Sequence, residues 1–224
     1  MIEVKGLAKN YAIDEQTLKA VDNVSFTAEK GDMISIIGHS GSGKTTLLSL
    51  IGGLTKPDAG SIMISGTDIW SLDDNSRSRF RNQHMSFIYQ FSSLIPTLTA
   101  LENILLPTAF GNFPGDAAAY AKELIDIVGL KDKTNAYPSH LSGGQQRRIA
   151  IARAFINRPA IILADEPTGD LDEETEREII SLFQRINEER KTTFVIVTHN
   201  NEIAAQAKTR FRMSSGILQA ITER

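Results

Sequence analysis

Residues 38–45 read Gly38, His39, Ser40, Gly41, Ser42, Gly43, Lys44, Thr45. This order of residue types is one that can hold phosphate. The glycines let backbone N–H groups turn inward around anionic oxygens, and a helix beginning at Lys44 adds partial positive charge from its amino end. Lys44 can reach the outer phosphates, and the Thr45 hydroxyl is a hard oxygen ligand suited to Mg²⁺. His39 occupies a position where any side chain is tolerated, and reads as a variable loop residue. Thr46 completes the candidate phosphate-binding set.

A second group of residues can supply the rest of a hydrolytic site. Ile161 to Ala164 is an apolar run that ends in Asp165 and Glu166. Carboxylates at the carboxyl end of a parallel strand face the mouth of a phosphate loop. Asp165 suits a Mg²⁺ ligand, and Glu166, alternating to the other side, can polarise an attacking water. His199 follows the apolar run Thr193 to Thr198, and Gln90 follows Phe87, Ile88 and Tyr89. His199 can contact a terminal phosphate and the water, and Gln90 can sense metal and water. Ser142, Gly143, Gly144 and Gln145 then form a second Ser/Gly loop ahead of a helical stretch. It is either a second anion site or an ordinary N-cap at Ser142.

These residues need strands and helices to bring them together. Met33 to Ile37, Ala160 to Ala164 and Thr193 to Thr198 are short runs of the kind buried on both faces of a parallel sheet. Helices are expected from Lys44 to Gly52, from Asp116 to Val128 with Gly129 as the stop, from near Gly144 to Ala154, and after Asp172. The first 30 residues read as short strands, and Ser61 to Ser65 as another. The stretch from about 71 to 140 reads as mainly helical. Strands alternating with helices predict an α/β fold with a largely parallel sheet. An antiparallel β region comes before it, and a helical subdomain at about 91–157 is inserted in a single domain spanning 1–224.

Composition narrows the possibilities. The 224 residues carry a formal charge of −3 and no cysteine, which argues against a broad nucleic-acid-binding face and excludes disulfides and thiolate metal sites. Residues Met1–Gly6 lack a basic-then-apolar leader, and no apolar run approaches the ~18–20 residues that span a bilayer. A soluble chain, attached to any membrane only through a partner, is the expectation. The Asn-Lys-x-Asp of a guanine-specific site is absent.

Taken in order, the phosphate loop at 38–45, Gln90, Leu141 to Gln145, Leu163 to Glu166, the run Gly169, Asp170, Leu171, Asp172, and His199 closely resemble the motifs of the ABC transporter ATPase family. The resemblance spans Tyr11 to His199. It implies a P-loop NTPase core that binds ATP and Mg²⁺ and hydrolyses ATP. It also implies a head-to-tail homodimer in which Ser142, Gly143 and Gly144 contact the γ-phosphate of the partner's nucleotide. Tyr11 would stack on adenine, Glu166, His199, Gln90 and Lys44 would serve catalysis, and Thr45, Gln90 and Asp165 would serve the metal. An integral membrane permease, docked against Phe91, Leu94, Ile95 and Leu98 on the inner face of the membrane, would receive the work. Leu94 to Pro96, Leu98 to Asn103 and Asp165 to Gly169 resemble the narrower lipoprotein-release and macrolide-export group. Three positions depart from the family pattern: Asp170 for Asn, Tyr89 for Phe and Arg147 for Gln. None removes a catalytic group. A DNA-repair or translation ATPase would be expected to carry a coiled-coil insert or a second ATPase half, and neither is present.

Overall fold

The computed structural model describes residues 1–13, 16–111, 113–169 and 171–221. The chain opens with two long strands, β1 (Ile2–Ile13) and β2 (Gln16–Ala28), rather than several short ones. Then come β3 (Met33–Ile37), α1 (Lys44–Ile51), β4 (Ala59–Ile64) and β5 (Thr67–Asp68). The middle holds α2 (Asp74–His84), β6 (Met85–Ile88), α3 (Ala100–Leu105) and α4 (Ala117–Ile127). The last part holds α5 (Gly143–Phe155), β7 (Ile161–Asp165), α6 (Glu173–Arg190), β8 (Thr193–Thr198), α7 (Asn201–Ala205), β9 (Thr209–Ser214) and β10 (Ile217–Ala220).

Two sheets form. The antiparallel one has the order β2-β1-β4-β5, and the other has the order β10-β9-β3-β8-β7-β6. In the second, β9, β3, β8, β7 and β6 are mutually parallel, and only β10 runs against its neighbour. Its central strands are apolar on both sides because both sides are covered. Ile34, Ile36, Leu163, Val195 and Val197 face α1 and the antiparallel sheet. Ile162, Ala164, Phe194 and Ile196 alternate to the other face, under α4, α5 and α6. Parallel alignment puts the ends of β3, β8, β7 and β6 along one edge. The residues that follow those strands are Gly38, His199, Glu166 and, two beyond Ile88, Gln90.

β6 corrects the expectation of a mainly helical stretch from 71 to 140. Met85 to Ile88 pairs in parallel with Ile161 to Ala164 and adds a core strand inside that stretch. Helix boundaries follow local chemistry. Asp116 caps α4 by accepting from the Ala119 N–H, and Gly129 follows it at φ 71°. Asp172 caps α6 by accepting from the Thr175 N–H. Among the described residues, no helix is long and apolar enough to cross a membrane.

Candidate active site

A cleft of about 540 Å³ opens over that strand edge. It is lined by Gly38, His39, Ser40, Gly41, Ser42, Gly43, Lys44, Thr45 and Thr46, with Tyr11, Gln90, Asp165, Glu166 and His199. The loop is shaped by close packing. A Cβ at Gly38 would lie 2.3 Å from the Met213 carbonyl oxygen on β9, so a glycine is needed there for room. Gly43 has φ 104°, and a Cβ on it would lie 2.0 Å from the Ala20 oxygen. Lys44 is 9% exposed, and its ammonium donates to the carbonyls of Gly38 (2.7 Å) and His39 (3.0 Å). Those bonds bend the loop around the lysine and hold its charge at the cleft floor. The Ser42 hydroxyl is buried without a hydrogen-bond partner among the described residues.

The acidic pair divides its work. Asp165 lies on the α1 side of β7, and its Oδ2 accepts from the Thr45 hydroxyl at 2.8 Å. Burial raises the Asp165 pKa, and the neighbouring Glu166 charge adds to this. The Thr45 bond and the positive charges of Lys44 and Arg147 pull it down. A hydroxyl beside a partly desolvated carboxylate at a phosphate loop is a fitting pair of hard oxygen donors for Mg²⁺. Among the described residues no three His, Asp or Glu side chains form a metal cage of their own. The ion's other ligands would be phosphate and water oxygens.

Glu166 reaches its place by a backbone turn rather than by strand alternation, with φ 47°. Its N–H donates to the Val197 carbonyl at 2.9 Å. Its carboxylate accepts from the Thr198 hydroxyl (3.0 Å) and the His199 N–H (3.2 Å), and Nδ1 of His199 lies 3.0 Å from Oε1. The end of β8 therefore orients the carboxylate, while the His199 side chain stays 76% exposed toward the cleft. Thr198, 1% exposed, escaped the sequence reading. Its signal was a polar residue closing an otherwise apolar strand directly before the histidine.

Gln90 is exposed and enters the cleft from beyond β6. Tyr11 pairs across the hairpin with Leu18, and both line the cleft's outer rim at 38% and 48% exposure. The Lys9 ammonium sits 5.7 Å from the Tyr11 ring centre. Ser142, Gly143, Gly144 and Gln145 do not line this cleft. They form a capping box at the start of α5: the Gln145 N–H donates to the Ser142 hydroxyl (3.2 Å), and the Ser142 N–H to the Gln145 side-chain Oε1 (3.0 Å). Asp170, one of the three departures, lies outside the described residues. Arg147, another, is 4% exposed and donates to four backbone carbonyls, those of Tyr89, Gln90, Glu166 and Gly169.

A phosphate loop, an oxygen-donor pair, an oriented carboxylate and a histidine on one strand edge define a nucleotide-hydrolysing cassette. The profile of the ABC transporter family matches residues 21–169. The lipoprotein-releasing system ATP-binding protein LolD of Alcanivorax borkumensis is 42% identical over 222 residues, covering 99% of this chain and 97% of its own. The macrolide export ATP-binding/permease protein MacB of Rhodopirellula baltica is 41% identical over 97% of this chain, which spans 32% of that longer protein. A dimeric post-hydrolysis structure of the ATP-binding cassette MJ0796, bound to ADP and Pi, matches with a TM-score of 0.92. It is 38% identical, and each chain is covered in full. The chain belongs to the ABC transporter family, as an ATP-binding and ATP-hydrolysing subunit of the lipoprotein-release and macrolide-export type. The narrower group expected from Leu94 to Asn103 and Asp165 to Gly169 is therefore the right one.

Proposed function

We propose that two copies of this chain pair head to tail, each closing its phosphate loop on ATP against Ser142, Gly143, Gly144 and Gln145 of the other. The observation that carries this reading is the separation of two anion-ready loops within one chain. The phosphate loop lines the cleft, while the Ser142 loop sits outside it at the start of α5. A Cβ added at Gly143 would meet nothing within 4 Å. In the closed pair, Tyr11 stacks on adenine, and the N–H groups of 38–46 with Lys44 hold the phosphates. Thr45, Asp165 and Gln90 would hold Mg²⁺, which when bound would neutralise phosphate charge. Glu166 accepts the proton of a water whose oxygen attacks the γ-phosphorus in line. The bond from that phosphorus to the β-γ bridging oxygen breaks, leaving ADP and inorganic phosphate. His199, held at Nδ1 by Glu166, helps orient the water and the departing phosphate.

Loss of the shared phosphate opens the pair, and that motion performs work on an integral membrane partner at the inner face of the membrane. Among the expected docking residues, Phe91 and Ile95 are 73% and 40% exposed, whereas Leu94 packs partly against the core. A groove of about 480 Å³ is lined by Leu54, Phe87, Tyr89 and Phe110 together with Ser78, Arg79, Arg81 and Asn82. A groove of mixed apolar and basic lining suits a short amphipathic helix of that partner.

The test is Glu166→Gln. It should keep ATP binding, lower hydrolysis by about 10²–10⁴-fold as loss of a general base does, and convert the chain to a dimer on ATP addition, read by size-exclusion with light scattering. Purification of that ATP-trapped variant from native membranes in mild detergent should bring a stoichiometric membrane protein with it. Full hydrolysis by the variant would remove Glu166 from its role, and recovery of soluble partners alone would remove the membrane coupling.

A further inference from the structure

Arg147 stands two residues past the Ser142 loop, on the first turns of α5, and it is buried. One amino group of its guanidinium donates to the carbonyls of Tyr89 (2.5 Å) and Gln90, and the other to the carbonyls of Glu166 and Gly169, each at 3.0 Å. A planar fork is the one side-chain shape that can hold two pairs of acceptors from two different segments at once. The segments are the ones that deliver Gln90 and Glu166 to the cleft. Glu166 is in a left-handed conformation, costly for any residue with a Cβ. Its carbonyl also accepts from the Gly169 N–H at 3.2 Å, so Arg147 grips both ends of the turn that places the carboxylate. Beside it lies a cavity of about 180 Å³, between Gly143 of the Ser142 loop, Phe91, Gly169 and Leu171. Arg147 thus ties the start of α5 to both segments beside that space.

We propose that Arg147 is a positioning residue that links the two ATP sites of a pair. When the Ser142 loop of one chain engages the partner's nucleotide, α5 settles, and Arg147 sets the backbone of Gln90 and Glu166 in that same chain's cleft. Each site is then fully formed only when the other is filled. This rests on the head-to-tail reading above. Nothing in the link requires Arg147 to touch nucleotide, so its loss leaves binding intact while uncoupling hydrolysis.

The experiment compares the full chain with Arg147→Gln and Arg147→Lys, measuring hydrolysis against ATP concentration and the binding of a fluorescent ATP analogue. Thermal melts accompany both. The wild type should show a Hill coefficient above one. Both variants should bring it to about one and lower kcat at least about fivefold, the low end of ordinary coupling between sites, with analogue Kd within about twofold. Lysine should fail like glutamine, because one ammonium cannot span two pairs of carbonyls. Rescue by lysine would show that charge alone suffices and would overturn the proposal. So would an unchanged Hill coefficient, a non-cooperative wild type, or a loss that tracks Kd or melting temperature. Failure of the ATP-bound Glu166→Gln chain to dimerise would instead sink the head-to-tail reading itself, and this inference with it.

Discussion

Asp165 meets two demands that conflict in the ligand-free chain. It must be anionic to hold a metal, yet it sits partly desolvated beside Glu166, and the first of these causes, burial, raises its pKa above the ordinary 3.8. A native pKa above the unfolded one means that the folded chain binds this proton more tightly. The stability this contributes is complete below about pH 3.8 and is lost as pH rises through the raised native value. At neutral pH the ionised carboxylate is therefore a local cost. Asp165→Asn keeps an acceptor for Thr45 without the charge, and it should raise the melting temperature of the nucleotide-free chain at pH 7. That gain should shrink toward zero as melts are repeated down to about pH 4, while hydrolysis is lost. A gain independent of pH would mean that the carboxylate is not the cause. Most of this residue-scale chemistry was legible in the sequence, because the phosphate loop and the Asp165–Glu166 pair lie in short local strings whose order matters chemically. What was not legible depends on contacts across the fold. Thr198 orients Glu166 from a neighbouring strand, and Arg147 reaches four carbonyls in two segments distant from it in sequence.

α5 shows how an element can carry two readings of one residue. Ser142 is an N-cap in the isolated chain, and the proposed pair also asks it to meet a phosphate. The two roles separate by substitution. Ser142→Ala removes cap and hydroxyl and should cost about 1 kcal/mol of stability, whereas Ser142→Gly, a tolerated N-cap, should cost only a few tenths. If the hydroxyl meets the partner's γ-phosphate, both variants should lose about 10- to 150-fold in hydrolysis, the value of a hydrogen bond to a charged group. Ordinary hydrolysis by the glycine variant, measured per folded chain, would leave Ser142 as a cap and nothing more. Elements with strong local signals, such as α4 between Asp116 and Gly129, were readable from sequence. β6 was not. It has four residues, includes Ser86, and is an edge strand with only Met85 and Ile88 buried, so it presents no continuous apolar run. The β9–β10 hairpin was also not read, although its Met213 carbonyl helps dictate a glycine at position 38. Its burial alternates weakly, and its role is set by β3, far away in sequence.

At the scale of the whole molecule, the geometry makes a claim that mixing experiments can reverse in sign. If each composite site takes its phosphate loop from one chain and its Ser142 loop from the other, defects must be counted per site rather than per chain. Lys44→Ala and Ser142→Arg are each inactive alone, since every site in their homodimers carries one defect. Mixed with each other, they form heterodimers in which one site holds both defects and the other holds none, so hydrolysis should reappear, lowered at least about fivefold because the defective site cannot signal to the intact one through Arg147. A chain carrying both substitutions behaves oppositely. Mixed in excess with wild type, it puts one defect into each site of the heterodimer and should extinguish the wild-type activity. Were each site contained in one chain, the results would exchange places. The single variants would stay silent together, and the double variant would leave its wild-type partner working. Hydrolysis assays on chains mixed before ATP is added distinguish the two arrangements without a structure of the pair. They do so through the same feature that first raised the question, a Ser/Gly loop at a helix start lying outside the cleft of its own chain.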